Sequence, residues 1–255
     1  MRNVSLSGHV VEIYDAIDEL PMRRFHRYNK MVLVDAGIGS DLSALDAHLE
    51  KAAMFIKDKT PELAQKELEN LRQCVYFIHT GLSPRSLAFA VLVKSIDGKP
   101  CDDMSDKALQ EVSERLSGVS VRETAALFEA VKKKIDDELR VYFPGMFDDA
   151  RDKEYYDELR RHTLAVLDTI INGETEERNA LVERLSMSLL HYAKPQSFTG
   201  KDNAEIAYDK QYEKMCLTLS RELNCNAKDM TVMEYYTAFE YLKEKSKKTK
   251  QNGRK

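Results

Sequence analysis

Apolar positions recur at intervals of three and four along most of this chain, and at intervals of two only near its start. Residues 9–16 alternate well enough for one short strand, which Ser7 and Gly8 would turn back onto residues 4–6 as a hairpin. Beyond Pro21 the pattern is helical. A first helix over about 21–35 stops at Gly37 and Gly39, residues suited to a left-handed C-cap. Ser40 offers the next N-cap, followed by Leu42, Leu45, Leu49, Ala52 and Ile56, a continuous seam spaced three and four. Thr60 and Pro61 start another helix with a seam at Ala64, Leu68, Leu71, Val75 and Ile78. Two such helices joined by a tight turn form an antiparallel hairpin.

The same punctuation continues to the C-terminus. Ser83-Pro84 starts a helix expected to run through Leu92 and Val93 to Asp97-Gly98, and Ser105-Asp106 opens a short one to Leu116. A capping box at Ser120 and Glu123 opens a long helix with Val121, Ala125, Phe128, Ile135, Leu139 and Tyr142 inward, ending before Pro144. Helices are expected over about 152–171, from Leu181 to Tyr192, and over 202–223, with 194–202 as the clearest loop. A second capping box, Thr231 and Glu234, opens the last helix. The expected fold is mainly α: a bundle of about ten helices built from antiparallel hairpins, with a short N-terminal β-hairpin. A soft boundary separates regions 1–118 and 119–242 from a tail, 243–255; one domain over 1–242 is the alternative.

Composition narrows the class. With 255 residues, 43% of them hydrophobic and 32% charged, the chain has a soluble globular composition; 10 glycines and 6 prolines exclude collagen-like and low-complexity classes. Burial of roughly 70–75% of its unfolded surface lets such a chain fold without disulfide or metal. No apolar run approaches the about 20 residues of a membrane span, and no signal-peptide pattern is readable at the start. Cys74, Cys101, Cys216 and Cys225 form no C-x-x-C pair and read as reduced thiols. The net charge of −4 is uneven: seven basic residues against one acidic give the 243–255 tail +6, leaving −10 on the rest.

The search for chemistry is short. No phosphate-binding, dinucleotide-binding or nucleophile-elbow motif occurs, and Gly37-Ile-Gly39-Ser40 follows a helix rather than a strand. The six histidines form no metal spacing, and Cys74 and His79 point about 140° apart on a helix. Asp102, Asp103 and Asp106, like Asp148, Asp149 and Asp152, suit helix starts better than a cation loop. Neither a catalytic residue nor a cofactor or metal site is assigned. Two surfaces stand out instead. The last helix carries Tyr235, Tyr236, Phe239 and Leu242, an aromatic stripe suited to a partner. Arg23, Arg24, Arg27 and Lys30, with Lys247 and Lys248 in the tail, could meet nucleic acid or an acidic partner.

Three segments carry a resemblance: Arg24-Phe-His-Arg-Tyr-Asn-Lys30 through 35–41, residues 67–73 through 83–91, and Met230-Thr-Val-Met-Glu-Tyr-Tyr236. Together they resemble proteins encoded among virion genes of tailed phages of gut bacteria, and the C-terminal part is similar in style to phage tail assembly chaperones. The resemblance implies a non-enzymatic structural or assembly role. Its partners would be other phage structural proteins or further copies of itself, in the host cytoplasm during assembly or in the virion. The alternatives from other classes are a nucleic-acid-binding accessory protein and an enzyme whose site only the fold assembles.

Overall fold

A computed structural model describes residues 1–6, 8–116, 121–147, 150–192 and 194–252, with side chains throughout except at 121–123, 150–152 and 248–252. Outside this description lie Ser7, the boundary at Gly118, the Ser120–Glu123 capping box as a pair, Asp148, Asp149 and the Lys248 side chain.

Strands β1 (Arg2–Leu6) and β2 (His9–Ile13) form the expected hairpin. The sheet then continues where a helix was expected. Helix α4 (Pro84–Leu92) ends at Leu92, and β3 (Val93–Ile96) pairs with β2, while β4 (Lys99–Pro100) closes a four-stranded antiparallel sheet in the order β1-β2-β3-β4. The apolar run 87–93 has no period of its own, so it suits a buried helix and a buried strand equally. Arg24 marks the break. Its guanidinium, 5% exposed as a residue, donates to the carbonyls of Val91 (2.9 Å) and Val93 (3.0 Å) and to that of Cys101. Asp97 and Gly98 then turn the chain with positive φ at both, the conformation of a two-residue type I′ hairpin.

The sheet leads into the helices of the body. These are α1 (Met22–Gly37), α5 (Asp106–Arg115), α6 (Val121–Tyr142), α9 (Ala204–Leu223) and α10 (Val232–Asn252), packed with α4. Their shared core takes Val11 and Ile13 from the sheet, Phe25 from α1, Ile135 from α6, Leu219 from α9 and Tyr235 from α10. It thus draws on both 1–118 and 119–242. Just past the end of α6 the inward position belongs to Phe143, while Tyr142, expected inward, is exposed.

The N-terminus of α10 is locked. Thr231 and Glu234 make the reciprocal capping box, with Thr231 N–H donating to Glu234 Oε2 (2.8 Å) and Glu234 N–H to Thr231 Oγ1 (3.3 Å). Backbone bonds from Met22 N–H to the Met230 carbonyl (2.8 Å) and from Val232 N–H to that of Leu20 (2.9 Å) join it to the start of α1. Gly37 admits the Phe198 ring of the 194–203 loop, which a Cβ there would meet at 2.4 Å.

Two hairpins stand outside this body: α2 (Leu42–Lys57) with α3 (Pro61–Thr80), and α7 (Ala150–Asn172) with α8 (Glu176–Tyr192). Asp41, one residue beyond the expected Ser40, caps α2 by accepting from Ala44 N–H (2.8 Å). Phe55 and Ala64 of the first hairpin pack against Leu190 of the second.

Candidate interaction surfaces

The α2–α3 hairpin buries polar groups and exposes apolar ones. His48, Glu67 and Asn70 are 5%, 2% and 2% exposed, beside Ala52, Phe55, Ala64 and Cys74. His48 Nδ1 meets Glu67 Oε2 at 2.5 Å and Nε2 meets the Ile38 carbonyl at 2.8 Å, so both ring nitrogens face acceptors. Burial disfavours the charged imidazole, but the bonds to Glu67 and Ile38 and the charge of Glu67 outweigh it, and the His48 pKa is raised. Asn70 Nδ2 donates to the Gln196 carbonyl (3.0 Å), tying α3 to the loop before α9.

The two heptad seams therefore do not close on each other. Of the expected positions only Ala52 and Ala64 are buried; Leu42 is 69% exposed, Ile56 63%, and Leu49, Leu68 and Val75 also lie open. The reason is angular. At 100° per residue, Leu42, Leu49 and Ile56 lie about 85° round α2 from its buried line, and Leu68 and Val75 a similar angle round α3. In an antiparallel hairpin these two offsets fall on the same side, so the stripes form one continuous apolar face.

A second open face lies on α7. None of its described side chains is buried; Leu164, Leu167, Ile170 and Ile171 point outward, and its inner side meets α8 through contacts such as His162 Nε2 to Ser186 Oγ (2.9 Å). Isolated apolar residues on a surface are ordinary, whereas contiguous stripes on neighbouring turns mark contact sites.

The residues singled out in the sequence lie elsewhere, and most are committed internally. Tyr235 is 1% exposed, packed edge-on to Tyr236 at 5.6 Å, so it anchors α10 to the body instead of facing a partner. Tyr236 is half-buried against Phe25 and Phe143; Phe239 is exposed and Leu242 half-buried at the body's edge. The basic cluster disperses. Arg24 is spent on carbonyls as above, Arg23 pairs with Asp229, Arg27 with Asp106, and Lys30 with Asp209 (2.8 Å). His26, stacked between Tyr208 and Tyr212, shares Asp209 at 2.8 Å. Lys247 is exposed on the tail.

A cavity of about 450 Å³ opens between the start of α4, α5 and α6, beside a hollow of about 180 Å³ that shares Arg85 and Phe128 with it. Two of its polar side chains have internal duties. Ser83 Oγ accepts from Ser86 N–H at the start of α4, and Arg85 pairs with Glu129 over the Phe128 ring. In the smaller hollow, burial above all holds the Asp35 carboxyl above its usual range. Among the described residues, no group of three or more His, Cys, Asp or Glu is placed to hold a metal, and no helix is long and apolar enough to cross a membrane.

Comparison with known proteins finds no matching family model, no matching curated protein and no matching solved structure. The functional reading rests on the surfaces. Sequence reasoning found the residues of the α2–α3 face as the seams of an antiparallel helix hairpin and did not single them out as a surface. The overlooked signal was the polar triad His48, Glu67 and Asn70, each one position short of an α2 or α3 seam residue.

Proposed function

We propose that this is a non-enzymatic structural or assembly protein that works through protein–protein contacts, in the setting the sequence resemblance implies, the virion or assembly pathway of a tailed phage. The observation that carries the reading is the continuous apolar face of α2 and α3, open to solvent on a chain with a well-closed core elsewhere. The α7 face supports it independently. The nucleic-acid alternative is weakened by the carboxylates that pair with the α1 cations, and it retains only the basic tail.

A photo-crosslinking residue placed at Leu49 or Leu167 in the intact chain, expressed in its native source, tests the proposal. The expected result is a stoichiometric adduct with a structural or assembly protein or with a second copy. A folded chain that crosslinks to nothing at either position, and sediments apart from particles, would overturn it.

A further inference from the structure

We infer that the α2–α3 face is a self-association surface: two copies pair through it as an antiparallel four-helix bundle, with Asp46 of each copy meeting Arg72 of the other. The inference deepens the contact-surface reading above by naming the partner, a second copy of this chain.

The contacts inside the hairpin set its levels. Asp41 lies across from Cys74, His48 from Glu67, and Phe55 packs with Ala64. Leu42 is therefore level with Val75, Leu49 with Leu68, and Asp46 with Arg72. A two-fold axis parallel to the helices, lying in the plane of the face, places α2 of one copy over α3 of the other without changing level. Leu49 then meets Leu68 of the second copy, Leu42 meets Val75, and the seams close as knobs into holes.

Charge selects this pairing. Asp46 and Arg72 both lie on the outer shoulder of the face, at the positions that flank a coiled-coil seam, and neither has an ion-pair partner among the described residues. The axis brings them together twice. Exposure agrees as well: Leu42 at 69%, Ile56 at 63%, Leu49 at 48%, Val75 at 45% and Leu68 at 43% leave a row of open apolar side chains on each copy for such an interface to cover.

The test uses the full chain in sedimentation equilibrium, with circular dichroism confirming the native helix content of each variant. Leu49→Asp is expected to weaken self-association by roughly 100-fold, since two leucines per dimer leave the interface. Asp46→Arg and Arg72→Asp are each expected to weaken it by about tenfold. An equimolar mixture of those two variants should recover wild-type affinity, because the mixed dimer restores an Asp–Arg contact on both flanks. A wild type that stays monomeric to about 100 µM overturns the inference. So does a dimer indifferent to Leu49→Asp, or a mixture that fails to recover; these results leave the contact-surface reading standing, which falls only if both crosslinking positions are silent.

Discussion

The body and the α2–α3 hairpin solve the same packing problem in opposite ways. In the body, apolar stripes from α1, α4, α6, α9 and α10 converge with one face of the sheet, and side chains such as Val11, Ile135 and Leu219 are almost completely enclosed. In the hairpin the apolar stripes turn outward, and the inner line is held by a histidine, a glutamate, an asparagine, Phe55 and small residues. A buried polar group keeps its place only while every partner is present, so the hairpin's inner line specifies one geometry without sealing its apolar surface. The body closes on itself, while the hairpin leaves its apolar stripes exposed.

Truncation before Thr231 is the harshest way to break this contrast. It removes Val232 and Tyr235 from the core, and with them the backbone bonds from Val232 N–H to the Leu20 carbonyl and from Met233 N–H to that of Ile17, so cooperative unfolding by denaturant should be lost. Tyr235→Ala alone should cost about 3–5 kcal/mol. Arg24→Leu strands the carbonyls of Val91, Val93 and Cys101 where α4 becomes β3, and should cost about 3 kcal/mol by the same measurement.

The hairpin's response to pH sharpens the comparison. Because the folded pKa of His48 is raised, its contribution is complete below the unfolded value of about 6.5 and fades as pH climbs through the folded value. Stability of the wild type relative to Glu67→Gln should therefore decline as pH rises above about 6.5. A difference that stays level over that range would assign the pair no charge-dependent role. The smallest effect belongs to the open face of α7: Leu167→Ser in the dilute protein should leave stability within about 0.5 kcal/mol of wild type.

Most helices were legible because their stop and start signals are chemically explicit. The Thr231–Glu234 box, the Thr60-Pro61 start and the Gly37 and Gly39 exit all correspond to real boundaries. The β3–β4 hairpin was hidden by the unbroken apolar run 87–93, although Asp97-Gly98 is a strong hairpin signal in its own right. The outward turn of the α2–α3 stripes was harder to read. A heptad seam says that two apolar lines will be covered, but not whether the cover is the neighbouring helix or another molecule. His48 and Glu67 hold the inner line here and leave the stripes exposed, through a pairing 19 positions apart that no short motif encodes. Arg24 is hidden in the same way. Within a run of cations it has nothing to mark it as the one whose carbonyl partners lie 67 and more positions away.

Hydrogen exchange of the intact chain, compared at dilute and concentrated conditions, tests the division most directly. Amides of α2 and α3 should gain protection as concentration rises, while those of α1, α4 and the first half of α10 stay unchanged. Protection that rises in the body instead, or in no helix at all, would contradict the assignment of the α2–α3 face as the surface this protein uses.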